Sequence, residues 1–189
     1  MSKYTFFNKI ISDSKLITHL VSQMYDDLGY GYNVPMDEIK ELSYKILNKY
    51  KIDIKYVFVD FEEEDIKSKY GLKKTTDVYA IKYPNNYLFV FNKKNGFNNN
   101  RYLFLKALAY ILFDRLDTNE EIRLSLELSH DKNEVLAEEF ACEFLLPNWK
   151  YQILKKQNPN LDDAKLIELQ KHLNEHILDI RKQRCVAHK

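Results

Sequence analysis

The chain has 189 residues, enough for one well-cored domain with or without a helical appendage. A formal net charge of +1 gives no global electrostatic pull toward nucleic acid or an anionic membrane. Two cysteines, Cys142 and Cys185, are too few for a disulfide framework, and no apolar run reaches the roughly 20 residues that span a bilayer.

Residues 1–25 carry apolar side chains at helical spacing, among them Ile10, Leu16, Leu20 and Met24, with Asp13 or Ser14 placed to cap a helical segment. The opening MSKYTFFNKIISDSK lacks the apolar run and small-residue cleavage site of a secretory signal, so a reducing cytoplasm is the expected compartment. LGYGYNVP, residues 28–35, is a loop by its Gly and Pro content. Helical period returns over 36–51 through Ile39, Leu42, Ile46 and Leu47, with Asp37 and Glu38 in the favourable first turn.

KIDIKYVFVD, residues 51–60, alternates and then turns continuously apolar, which predicts a strand. Residues 61–76 form a charged, exposed connection whose acids Glu62, Glu63 and Glu64 are a solvated run rather than a metal site. DVYAIKY and NYLFVFN, residues 77–83 and 86–92, read as two strands of a hairpin turning near Pro84. KKNGFNNN is a loop whose last residue, Asn100, is placed to cap the next helix.

RYLFLKALAYILF, residues 101–113, is apolar on every side except at Lys106, the mark of a buried helix. A polar connection follows, in which alternation at Ile122, Leu124, Leu126 and Leu128 permits a short strand. EVLAEEFACEFLLP, residues 134–147, has apolar Val135, Leu136, Phe140, Phe144 and Leu145 at helical spacing and ends at Pro147. A short segment around Trp149 and Leu154 breaks at Asn158-Pro159-Asn160. Residues 161–182 form a last amphipathic helix, capped near Asp162. The expected fold class is α+β: one domain over 1–160 with a small antiparallel or mixed sheet, and a C-terminal helix and tail, 161–189, packed on it.

The two central segments resemble motifs of the ImmA/IrrE-like zinc metallopeptidases. RYLFLKALAYILF is similar to the family's RF-x-L-AHELGH-IL helix, and EVLAEEFACEFLLP to its E-x-x-AN-x-FA-x-x-LLMP helix. A weaker likeness, VPMDEIKEL, extends the similarity over residues 30–150. The resemblance implies a zincin-like helical core, in which two His at i and i+4 hold zinc and the Glu between them serves as general base. Aligned through Arg101, Leu108, Ile111 and Leu112, Lys106 falls on the first His, Ala107 on the base, Ala109 on the Gly and Tyr110 on the second His. The family's third ligand, the glutamate opening the second motif, falls on Glu134, and Glu138 replaces an Asn.

An ammonium has no lone pair to give a metal, and an alanine moves no proton. Lys106, Ala107, Tyr110 and Glu134 are therefore vestigial positions, with no catalytic residue, metal or cofactor expected. Lys106 is expected to replace the metal's positive charge, paired with Glu134 and joined by the Tyr110 hydroxyl, unless it snorkels to solvent. A core helix with a chance likeness would carry the same apolar pattern.

His172, Glu175 and His176 also fit the H-x-x-E-H pattern of inverted zincins, although Leu166, Leu169, Leu173 and Ile177 give that helix an ordinary packing stripe. His19 and His130 stand alone. The function implied by the resemblance is protein binding by an inactive metallopeptidase-like protein. It would be a phage or mobile-element regulator that engages a helix-turn-helix repressor or another regulatory protein, with no direct nucleic-acid or membrane binding. The alternatives are a metallohydrolase with a site relocated to His172, Glu175 and His176, and a mobile-element or defence accessory whose partner is not a repressor.

Overall fold

In the computed structural model, which describes residues 14–33, 35–73, 76–113, 120–126 and 131–160 together with 162, 165 and 177, helices and strands alternate irregularly along the chain. In order they are α1 (Ser14–Asp27), α2 (Ile39–Tyr50), β1 (Ile54–Val59), α3 (Glu64–Tyr70), β2 (Val78–Lys82), β3 (Tyr87–Asn92), α4 (Phe97–Leu112), β4 (Glu121–Leu124), α5 (Lys132–Leu145) and α6 (Asn148–Gln157). The four strands form one sheet in the order β1-β3-β2-β4. β1 runs parallel to β3, while β2 is antiparallel to both β3 and β4. The class is α+β with a mixed sheet. The expected hairpin is β2–β3, and the alternation after residue 121 yields β4 on the sheet edge, with Leu124 opposite Val78.

Strand alternation gives the sheet two apolar faces. Ile54, Val78, Ala80, Phe89, Phe91 and Leu124 join the main core with the helices. Tyr79 and Val90, on the other face, meet Phe61, with Ile66, Tyr70 and Leu72 packed around them. This second face explains α3, which lies within the stretch expected to be only a connection. Its few apolar residues sit on one side, and its charges follow the helix dipole: Glu64 and Asp65 in the first turn, Lys67 and Lys69 in the last. Gly71 ends it in the left-handed region, where a Cβ would stand 3.1 Å from Arg123 Nη2. The acids beside α3 behave as a surface run: Glu62 pairs with Lys94 at 2.5 Å, and Glu63 approaches Lys93 at 3.8 Å.

α4 is buried along almost its whole length, from Asn100 to Leu112. It lies against the sheet on one side and packs most extensively on α5, which in turn carries α1. Alanines at 107, 109, 137 and 141 are fully buried on the two central helices, and side chains this small permit close axial approach. The helix begins earlier than expected. Gly96, not Asn100, occupies the capping position, and Asn100 is a buried residue inside the helix whose N–H donates to the Gly96 carbonyl at 3.0 Å. The Asn92 side chain accepts from Lys94 N at 3.1 Å, so the chain turns directly after β3 and enters the helix four residues sooner, at Phe97 rather than Arg101.

Most of the C-terminal segment lies outside the described residues. Two observations bear on it: Asp162 accepts from Lys165 N at 2.9 Å, and Ile177 is fully buried in the main core. Among the described residues no helix is long and apolar enough to cross a membrane. Ile177→Ala should cost roughly 2–5 kcal/mol of stability in equilibrium denaturation, because it empties a packed site. An unchanged midpoint would mean that the C-terminal segment is not part of the core.

Candidate functional site around Lys106

Lys106 stands in the middle of α4, where every neighbouring residue is buried, and its own exposure is 0%. An ammonium carries three N–H donors, and leaving them unsatisfied away from water is costly. Three oxygens meet them. Lys106 Nζ lies 2.6 Å from Glu134 Oε1 and 3.2 Å from Glu138 Oε1, and it donates to the Ser125 carbonyl at 2.9 Å. Glu138 is as deeply buried as the lysine, whereas the Glu134 side chain keeps 18% of its surface.

The acceptors come from two elements, each held for a local reason. Glu134 and Glu138 are four residues apart on α5 and so project from one helical face. Asp131 fixes the start of that helix by accepting from Asn133 N at 3.0 Å and Glu134 N at 3.1 Å. Ser125 follows β4, where Asp77 secures the chain on both sides. Asp77 N donates to the Leu124 carbonyl at 2.9 Å, and Leu126 N donates to Asp77 Oδ2 at 2.8 Å. The ammonium therefore ties the sheet edge and α5 to the middle of α4.

The expected pairing of Lys106 with Glu134 is present, and Lys106 does not snorkel. Tyr110 is buried near the cluster, but its hydroxyl makes no hydrogen bond to it. Burial, and then the charges of Glu134, Asp131 and Glu138, push the Tyr110 hydroxyl well above the ordinary tyrosine range, so it stays protonated. Ala107 is fully buried and presents no polar atom. Sequence reasoning missed Glu138 and Ser125. Glu138 had a legible signal, its i,i+4 relation to Glu134 on an otherwise apolar helix; a backbone carbonyl from another element leaves none.

A second buried cation ties α4 to the chain entering α2. Arg101 is 1% exposed, its Nη2 donates to the Pro35 carbonyl at 2.6 Å, and its guanidinium lies 5.4 Å from the Phe97 ring. Burial holds its ionisation below the usual arginine value, partly offset by Asp37. Asp37 also accepts hydrogen bonds from the Tyr30 hydroxyl and from Lys45, the latter at 2.6 Å.

His172, Glu175, His176 and His130 lie outside the described residues, and His19 is exposed on α1. Among the described residues no three His, Cys, Asp or Glu side chains gather as a metal site would need. Comparison of the chain with family models, curated proteins and solved structures gives no match.

What this arrangement does chemically is hold a fixed positive charge where two carboxylates converge. Lys106→Met should destabilise the fold by about 3–5 kcal/mol, since it leaves two carboxylates facing each other in a dry site. Adding Glu134→Leu and Glu138→Leu should recover much of that loss, a coupling measurable by denaturation of the single and combined variants. Additive losses would show that the charges do not interact.

Proposed function

We propose that this chain is a catalytically inactive relative of the ImmA/IrrE-like zinc metallopeptidases that binds a regulatory protein without cutting it. The observation that supports this most is the position of the Lys106 ammonium. The family's zinc would stand between the α4 ligands and the glutamate opening the second motif. In this chain Lys106 Nζ lies 2.6 Å from Glu134 Oε1, with all three of its donors engaged, which supports an ammonium standing in for that metal. A zinc ion entering would meet a fixed positive charge, lose both imidazole donors and find Ala107 where a general base is needed. Peptide hydrolysis by that route requires groups this site does not contain.

Without hydrolysis, the function left to a peptidase-like fold is recognition. The partner class implied by the resemblance is a helix-turn-helix repressor or comparable regulator of a phage or mobile element, met in the cytoplasm. The expected mode is capture of an intact protein with no direct contact to nucleic acid.

Two measurements on the full chain test this. Protein purified without chelator should contain far less than one zinc per chain, and added zinc should leave its melting temperature unchanged. Mixed with a repressor encoded beside it, the chain should comigrate with that repressor in size-exclusion chromatography and leave it uncleaved. One tightly held zinc per chain, lost in a His172→Ala variant, together with cleavage of the partner, would overturn the proposal in favour of the relocated metal site.

A further inference from the structure

The two edges of the sheet are built differently. β4 is four residues long and carries the Glu121–Arg123 ion pair, features that keep a free edge from joining another strand. β1, at the other edge, runs six residues without proline, glycine or bulge, and Lys55 is its single charge. Its hydrogen-bond phase is fixed, because Tyr87 N donates to the Asp53 carbonyl and Lys93 N to the Val59 carbonyl, each at 2.8 Å. In a parallel ladder alternate residues serve one neighbour. Lys55, Val57 and Val59 therefore turn their backbone groups to β3, and those of Ile54, Tyr56 and Phe58 point outward. Among the described residues no strand pairs with that edge. Beside it a cavity of about 480 Å³ opens between α2 and β1, walled in part by Tyr44, Leu47, Ile54 and Tyr56. Val57 is 41% exposed and Phe58 47%, and the Phe58 ring stacks on Phe91 at 5.4 Å, on the side of the sheet that carries the main core.

We propose that β1 pairs antiparallel with β1 of a second copy of this chain, giving a two-fold dimer whose sheet runs through both molecules. The strand itself specifies this occupant. With Tyr56 on the two-fold axis, Ile54 of each copy stands opposite Phe58 of the other, and every outward backbone group from Ile54 to Phe58 finds a partner. Directly opposed residues share a face of the sheet. Each Phe58 ring therefore comes to lie beside Ile54 of the other copy, where the cavity is, and the same fit repeats across the axis. On the opposite face Lys55 meets Val57, so no like charges are opposed. Moving the axis to Lys55 would set two ammonium groups against each other and carry Phe58 beyond the start of the strand. A foreign strand would have to supply both this phase and a ring for the cavity, whereas a second copy brings both. The strand alone is small against the roughly 800 Å² per partner of a standard interface, and exposed Tyr44, Leu47 and Val57 continue the apolar surface around it. The contact rests neither on the vestigial centre at Lys106 nor on the partner proposed above.

Sedimentation velocity of the full chain over a concentration series should show a reversible monomer–dimer equilibrium. Two substitutions at the exposed position 57 test the register in opposite directions. Val57→Lys opposes two lysines on each side of the axis and should weaken dimerisation about tenfold. Val57→Glu sets a carboxylate opposite Lys55 and should tighten dimerisation by a similar factor, about tenfold. Both variants should melt as the parent does when dilute enough to be monomeric. A parent chain that stays monomeric at every concentration overturns the second copy as occupant, and saturable binding of an apolar extended peptide by that monomer would assign the edge to a foreign strand. A dimer that both substitutions leave unchanged, or change in the same direction, overturns the pairing through β1.

Discussion

A fully buried ammonium with three oxygen partners is the constraint on which the centre of this protein depends. Lys106 is 0% exposed in the middle of α4, which is buried along most of its length, so its charge is held away from water. The fold tolerates it only because α5 delivers Glu134 and Glu138, and the end of β4 delivers the Ser125 carbonyl, to the same point. Such a cluster is weak evidence for high stability, since desolvating three charged groups is itself costly. Its consequence is geometric. Any shift of α5 along α4, or any retreat of the β4 edge, strips an acceptor from a charge that is buried away from water.

The two ends of α5 have different characters. Glu134 and Glu143 are nine residues apart, about 14 Å along a helix axis. At the N-terminal end the negative charges are consumed internally by Lys106, and little of the cluster faces solvent. At the C-terminal end the carboxylates of Asp26 and Glu143 line an open cavity rimmed by Tyr32 and Trp149.

Much of the architecture was legible in the sequence because burial writes itself as period. The unbroken apolar run from Tyr102 to Leu105 and the spacing of Leu136, Phe140 and Phe144 located both central helices, and alternation located the hairpin and β4. The Lys106–Glu134 pair was legible only through the resemblance, since nothing local says that two helices cross at those residues. What escaped has physical reasons. α3 hides its apolar contacts among charges and covers a sheet face whose existence depends on the strand order. The start of α4 was misplaced because Gly96, Asn98, Asn99 and Asn100 are all tolerable as caps, and the turn after β3 chooses among them. The aromatic and acidic cavity joins residues more than a hundred positions apart, a juxtaposition set by packing α1 on α5.

The central claim, that Lys106 is a charged ammonium locked among Glu134, Glu138 and Ser125, is tested most directly by heteronuclear NMR of the lysine side-chain nitrogens. The account predicts one ammonium resonance with protons protected from solvent exchange at neutral pH, absent in Lys106→Met and shifted in Glu138→Gln. Surface lysines exchange too fast to give such a signal. A Lys106 ammonium that exchanges with water as quickly as those surface lysines would contradict it.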